Sequence, residues 1–227
     1  MLSNHDVTRH LTRYGRTSTR NGLAAAAGRR GSGSRNPPRP AAVLLSLALP
    51  GSSYLYQGKE LGLWEVEDIP DELIADPIFL RSEHRIPRPR WLPGAAAVAS
   101  GRAWLRFRSS QGRRALAPQP TAWRQLAAAA QAEDPGSMLA LYRAALRVRA
   151  ARDCLDDDSL TWLTAPDNVL AFSRPGRFAC MVNISAAPVP LPPDAGVLVA
   201  SEELDDGKLP PDSAAWLRTG TGSSADR

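Results

Sequence analysis

The sequence has 227 residues, of which 43% are hydrophobic, and carries a formal net charge of +5. This length allows one large or two small domains with a buried core, and the longest apolar run, residues 41–49, is far shorter than the roughly 20 residues of a membrane span. No charged-then-apolar signal peptide opens the chain, so we expect a cytoplasmic location without membrane contact.

The positive charge is concentrated in two segments, because residues 7–59 and 84–132 contain no acid. A basic surface with interleaved aromatic residues is typical of nucleic-acid binding, and residues 84–117 have that composition. A nucleic-acid-binding protein is therefore one alternative function. The acid-rich final third disfavours nucleic acid as the partner of the whole chain.

The front of the chain has few regular elements. Residues 16–40 combine Gly, Ser, Pro and Arg without a hydrophobic period, which predicts a disordered linker. Residues 41–49 predict a buried helix that ends at Pro50-Gly51. The residues from Tyr54 to Tyr56 predict a short buried strand followed by a turn at Gln57-Gly58.

The clearest helix begins after Ser137, a plausible N-cap. One face of this helix is apolar, because apolar residues recur at helical spacing; they are Met138, Leu141, Tyr142, Ala145 and Val148. The two cysteines, Cys154 and Cys180, are too far apart for a metal or redox motif and are expected to be free, buried thiols.

Residues 158–218 change to a period of two, with turns at Pro166-Asp167-Asn168 and Pro175-Gly176. This pattern predicts a small antiparallel β-sheet. Its expected core consists of Trp162, Phe172, Phe178, Val182 and Leu198. A freestanding carbohydrate-binding module, the third possible function, needs exposed aromatic rings on one sheet face, and only Trp162 and Trp216 are candidates for that role.

The first residues form a site-like cluster, Ser3-Asn4-His5-Asp6. Asn4 or Asp6 could cap a helix that begins near Val7. A metal site is a poor fit, since a His beside an Asp with no third ligand nearby is a weak scaffold. A carbohydrate or ester site is the third reading, with His and Asp bonding to ligand hydroxyls. Spacing alone does not choose among them.

Separated segments of the chain resemble bacterial α-glucosidases of the α-amylase family, glycoside hydrolase family 13. The segments "SNHD" with "RHLTRYG", and then "LALPGSSYLYQGKELGL", resemble the seventh and eighth barrel-strand regions of those enzymes. The segment "DPGSMLALYRAALRVR" resembles the last barrel helix, and "NVLAFSR" with "VNISAAPVPLP" resembles the C-terminal β-domain. The order of these segments agrees with the family.

The resemblance implies an α/β plus all-β fold, in which the last two β/α units of a (β/α)8 barrel precede a small antiparallel sheet or sandwich. We expect the barrel remnant at residues 1–153, the β-domain at 154–218 and a tail at 219–227. Within the remnant, residues 16–40 are predicted to be disordered and residues 84–117 are anomalous.

The resemblance also implies roles for individual residues. Asp6 matches the carboxylate that stabilises the transition state, and His5 matches the residue that bonds to sugar hydroxyls. Arg13 matches a position that shapes the substrate cleft. Asn4, Tyr56 and Gln57 match supporting positions, and no metal or cofactor is expected.

The family hydrolyses terminal α-glucosidic bonds by a retaining mechanism, which needs two carboxyl groups about 5 Å apart. Its nucleophile and general acid come from the fourth and fifth barrel strands, which have no counterpart in this sequence. We therefore expect a truncated chain that is inactive alone, prone to aggregation or completed by a second chain. The expected partner of the parent family is an α-glucoside or malto-oligosaccharide.

The Arg-rich residues 84–117 replace a family loop that contains glycine and aspartate. Back-translation of this segment in a shifted frame yields peptides that resemble the family loop. We therefore hypothesise two compensating frameshifts, near residues 84 and 117.

Overall fold

The computed structural model describes residues 9–14, 40–64, 81, 121–151 and 158–220. It divides into two compact units. One unit combines Arg39–Tyr54 with Ala140–Arg227, and the other combines Leu2–Pro38 with Leu55–Leu139. Both units are therefore built from stretches that are distant in sequence.

Four α-helices and one 3₁₀-helix lie within the described ranges. The α-helices are α1 (His10–Tyr14), α2 (Ala41–Ala48), α3 (Ala128–Gln131) and α4 (Met138–Ala150), and the 3₁₀-helix is Thr121–Leu126. The prediction of α2 is confirmed: it is largely buried and ends where Leu49 becomes extended before Pro50. The prediction of α4 is confirmed as well, with Met138, Tyr142 and Ala145 buried on its apolar face.

Seven strands form two antiparallel sheets, which confirms the antiparallel arrangement predicted for this part of the chain. The strands are β1 (Thr161–Trp162), β2 (Val169–Arg174), β3 (Phe178–Asn183), β4 (Val189–Pro190), β5 (Gly196–Ala200), β6 (Lys208–Leu209) and β7 (Ser213–Arg218). The main sheet has the order β1-β2-β3-β7-β5, and β4 pairs with β6 in a second sheet. Every strand pair within the described ranges is antiparallel, so the partial parallel barrel stays a prediction.

The main sheet is buried on both faces. On one face, Val169, Met181 and Leu217 pack with Val189 and Leu209 of the small sheet. The other face carries Phe172, Phe178, Cys180, Val182 and Trp216 and lies against α2. Cys180 is a free, buried thiol, as predicted.

Two arginines bind the carboxyl end of α2, where main-chain oxygens lack intrahelical donors. Arg149 on α4 donates to Leu47 O and, at 2.8 Å, to Gly51 O. Arg174 on β2 donates to Ala48 O at 3.1 Å. Positive charge is favourable at this negative end of the helix dipole, so Arg149 holds α2 on α4 and Arg174 holds it on the sheet.

Three predictions are wrong, two about core residues and one about a strand. Trp162 is 62% exposed because β1 is a two-residue strand at the sheet edge. Leu198 is only half-buried, since the register of β5 shifts between Val197 and Val199 and leaves Leu198 in a bulge. The segment from Tyr54 to Tyr56 is not a strand: Tyr54 and Leu55 are exposed and form no ladder hydrogen bonds with other described residues.

Candidate functional site

The predicted site residues fall partly outside the described ranges. Asn4, His5 and Asp6 precede the first described residue. Arg13 lies in α1, but its side chain is not among those described. Tyr56 and Gln57 are described, and Gln57 begins a turn as the sequence predicts.

Tyr56 and Gln57 both contact Arg9, the residue that directly precedes α1. The Arg9 Nη1 atom donates to Gln57 O at 2.8 Å, and its guanidinium carbon lies 4.6 Å from the centroid of the Tyr56 ring. Arg9 is buried. A guanidinium over an aromatic face is attracted by the ring quadrupole, and its bond to a carbonyl is charge-assisted. Arg9 therefore fixes the loop that carries both predicted residues.

The loop after Gln57 is a tight turn that requires glycine. Gly58 has φ +81°, and a Cβ added there would lie 2.5 Å from Leu63 Cδ1 and 3.4 Å from Arg9 Nη1. Lys59 N donates to Tyr56 O at 2.9 Å, and Leu63 N donates to Gly58 O at 3.0 Å. The missing side chain of Gly58 thus lets the turn close against the Arg9 guanidinium.

Lys59 is the unusual residue of this turn. Its side chain is buried, and desolvation by that burial lowers the pKa of its ammonium group. Within the described part of the chain, the Lys59 side chain forms no hydrogen bond or ion pair. His10, the first residue of α1, is also buried. Of the predicted site residues, Tyr56 and Gln57 therefore have one cation in contact, Arg9, and a second, Lys59, in the same turn.

Gln131 connects this turn to the start of α4. Its Nε2 donates to Leu61 O at 2.9 Å and to Leu126 O at 2.8 Å, while its Oε1 accepts from Leu139 N at 3.1 Å. The last bond satisfies one of the free amides at the helix start. Ser137 precedes the helix as predicted, and its hydroxyl donates to Asp134 O at 2.7 Å.

The described ranges contain no group of three or more His, Cys, Asp or Glu side chains that could hold a metal ion. No helix within the described ranges is long and apolar enough to cross a membrane. The Arg-rich residues 84–117 lie outside those ranges, so the nucleic-acid and frameshift hypotheses stay predictions. Of the two Trp candidates for a sugar-binding face, Trp216 is fully buried and Trp162 is exposed.

Sequence reasoning did not assign Arg9, Lys59 or Gln131 to the site. Arg9 and Gln131 act through main-chain carbonyls 48 and 70 positions away, and such bonds leave no pattern in a sequence. The one available signal is the run without acids at residues 7–59, which contains both Arg9 and Lys59.

The β-domain is the part of the chain that matches a known protein family. A family model described as a domain of unknown function, DUF3459, matches residues 153–216, which include the whole main sheet except its last two residues. Among curated proteins, none matches the sequence.

Several solved structures of sugar-processing enzymes are similar to the chain. The alpha-glucosyl transfer enzyme XgtA is 25% identical with a TM-score of 0.61, over 95% of this chain and 39% of the enzyme. MutB in complex with isomaltulose is 18% identical with a TM-score of 0.66, over 96% of this chain and 42% of MutB. An isomaltulose synthase from Erwinia rhapontici NX5, in complex with D-glucose, is 18% identical with a TM-score of 0.56, over 80% and 38%.

The chain thus spans about two fifths of the length of these enzymes. Together with the β-domain match, they confirm the resemblance to the C-terminal part of an enzyme of the α-amylase family. They give no support to a nucleic-acid-binding protein or a freestanding carbohydrate-binding module.

Proposed function

We propose that this chain forms the C-terminal part of an α-glucosidase-like enzyme. The observation that carries the proposal is the family match at residues 153–216 within a chain that is similar over 95% of its length to an alpha-glucosyl transfer enzyme. The solved relatives bind isomaltulose and D-glucose, which supports an α-glucoside or malto-oligosaccharide as the substrate.

In this proposal, residues 1–153 contribute the last two β/α units of a barrel and residues 154–218 form the β-domain. Asp6 stabilises the cationic transition state and His5 bonds to sugar hydroxyls, as the sequence resemblance implies. Arg13 shapes the cleft and Asn4 holds the turn. The contact of Arg9 with Tyr56 and Gln57 supports a positioning role for this loop, because both residues use ring or main-chain atoms to hold Arg9.

We further propose that these 227 residues do not hydrolyse glucosides alone. A retaining glycosidase needs a nucleophilic carboxylate and a carboxylic acid about 5 Å apart. No segment of this sequence resembles the family's nucleophile or general acid. Asp6 lacks these two partners, so the bond-breaking step requires residues from elsewhere.

Two experiments test the proposal. The purified chain is assayed with p-nitrophenyl α-glucoside, maltose and sucrose beside its Asp6→Asn variant, and neither should show turnover above buffer. If the unchanged chain hydrolyses one of these substrates and the Asp6→Asn variant does not, the proposal that the chain is inactive alone is wrong. Sequencing the gene and its upstream region in every frame should reveal coding sequence for the earlier barrel strands, and upstream DNA without such sequence contradicts the assignment to a larger enzyme.

If the upstream region encodes those strands in a continuous frame, the longer protein gives a direct test of Asp6. Its Asp6→Asn variant should lose kcat while it keeps its thermal unfolding temperature, since Asp6 is proposed to act on the transition state. The same DNA tests the two frameshifts, because it must contain the hidden loop peptide in the alternative frame of codons 84–117.

A further inference from the structure

Helix α2 covers only part of the sheet face on which it packs. It lies on β3 and β7, at the other side of the sheet from the edge strand β1. A helix is about 10 Å wide and neighbouring strands are about 4.8 Å apart, so one helix covers about two strands. Side chains on the same face of β1 and β2 therefore lie beside α2 rather than under it.

Three exposed apolar side chains form what we name the apolar patch of this face. They are Trp162, Leu170 and Ile184, which are 62%, 36% and 54% exposed. Trp162 pairs with Phe172 and Leu170 precedes Phe172 by two residues, so all three share one face. Ile184 N donates to Asn168 O at 2.9 Å, which continues the β2–β3 ladder and places Ile184 on this face as well. An exposed apolar surface of this kind is typical of a protein-binding site.

The exposed charges next to the apolar patch are negative. Asp158 precedes β1 and Asp167 lies in the turn between β1 and β2, and both are exposed. Arg174, the cation on β2, is buried and bonded to main-chain oxygens. Arg177 lies in the turn at the far end of β2 from Leu170, where its guanidinium bonds to a main-chain oxygen. A complementary partner therefore combines apolar side chains with positive charge.

The exposed face of α4 has these complementary properties. Its exposed residues recur at helical spacing; they are Arg143, Leu146, Arg147 and Ala150. Leu146 is 39% exposed and lies between the two arginines. Every charged residue of α4 is an arginine, so the helix is positive along its whole length. Its 13 residues span about 20 Å, and the six residues of β2 have about the same length.

We propose that the exposed face of α4 binds the apolar patch of a second copy of this chain. Leu146 packs beside Trp162, and the arginines of α4 lie against the carboxylates of Asp158 and Asp167. Both surfaces are exposed in the single molecule, so the contact forms between two molecules. The two surfaces differ, so copies join head to tail and are not limited to pairs. This contact is independent of the proposed enzyme function.

The experiment measures the sedimentation velocity of the full 227-residue chain at a series of protein concentrations. The sedimentation coefficient of the wild type should rise with concentration. Two double variants each reverse the charge of one surface: Arg143→Glu with Arg147→Glu, and Asp158→Arg with Asp167→Arg. Each should sediment as a monomer, since like charges then face each other. An equal mixture of the two should associate again, because each reversed surface meets its complement.

The apolar part of the contact is tested by Trp162→Ala. This variant should weaken association about tenfold or more, because truncation of a central Trp removes a large share of the binding energy of an interface. The matched control is Glu203→Arg with Asp205→Arg, which makes the same charge change at exposed acids outside the patch and should leave association unchanged.

Three results overturn the proposal. The first is a wild type that is monomeric at every concentration. The second is association that persists in both charge-reversed variants, because the contact then uses other surfaces. The third is a mixture that stays monomeric although far-UV circular dichroism shows both variants folded, because the two surfaces then do not bind each other.

Discussion

The indole Nε1 of Trp216 donates a hydrogen bond to the main-chain oxygen of Leu44 at 3.1 Å, across 172 positions of sequence. The same indole packs edge to face on Phe178, with ring centroids 5.3 Å apart. Trp216 therefore joins α2 to the centre of the sheet by a polar and an apolar contact.

Replacement of Trp216 by Ala should lower the free energy of unfolding by about 3–5 kcal/mol, because it leaves a cavity in a fully buried site. Trp162→Ala is the control and should lower it by less than about 1 kcal/mol, since that ring is mostly exposed. Urea denaturation followed by far-UV circular dichroism measures both. Equal losses in the two variants contradict the assignment of Trp216 as the anchor of α2.

The Gly58→Ala substitution should destabilise the turn beside Arg9 more than Gly62→Ala does. Both glycines have positive φ, at +81° and +71°, so both variants bear a backbone penalty of about 1 kcal/mol. A Cβ at Gly58 also meets Leu63 Cδ1 at 2.5 Å, whereas one at Gly62 meets its nearest atom at 3.6 Å. The difference between the thermal unfolding temperatures of the two variants measures the steric contribution. A smaller loss of stability in Gly58→Ala than in Gly62→Ala contradicts the geometry of this turn.

Lys59 should make stability depend on pH in the alkaline range. Its folded-state pKa is lowered by burial, so the unfolded chain binds more protons between that value and the ordinary lysine pKa of about 10.4. The free energy of unfolding should therefore rise as the pH rises through this window. Lys59→Met should remove the slope and raise stability at neutral pH, since it removes a buried charge.

The matched control for Lys59 is the chain's other lysine, Lys208, which is exposed. Lys208→Met should leave the pH dependence of the urea midpoint unchanged. If stability still rises with pH in Lys59→Met and no longer does so in Lys208→Met, the pH dependence does not come from Lys59 and the prediction is wrong.

Asn183→Ala should destabilise the β-domain by about 2–4 kcal/mol, because it leaves buried carbonyl groups without a donor. The Asn183 Nδ2 atom donates to Ala187 O at 2.8 Å and to Leu209 O at 2.9 Å, and its Oδ1 accepts from Ser185 N at 2.9 Å. Asn168→Gly, at an exposed turn position with φ 62°, is the control and should be nearly neutral. Urea denaturation distinguishes them.

The two longest helices and the longer strands could be predicted because each had a local signal. Helix α4 has an apolar period of 3.6, and β2 and β3 are bounded by turn residues such as Pro175-Gly176. Strands β4 and β6 could not be predicted, because they have two residues each and such short strands show no period. One bond to β6, from the Asn183 side chain to Leu209 O, joins residues 26 positions apart and also leaves no sequence pattern.

The errors have a common physical cause, since each concerns a neighbour that lies far away in sequence. The apolar residues Tyr54 and Leu55 predict a strand, but a strand also needs a hydrogen-bonding partner, and none pairs with them in the described ranges. Trp162 is exposed because β1 lies at the edge of the sheet order. For the candidate site, the resemblance found Tyr56 and Gln57 but not their contact with Arg9.

Helix α2 and the turn after it are bonded to α4 by Arg149 and to the sheet by Arg174, although about a hundred residues separate these partners in the chain. The entropic cost of closing a flexible connection rises only with the logarithm of its number of residues, so doubling its length adds about 0.6 kcal/mol to that cost. The β-domain can therefore tolerate long insertions, deletions or a rewritten sequence between Gly51 and Ala140 with little loss of its own stability. Divergence of the Arg-rich residues 84–117 is compatible with retention of the sheet for this reason.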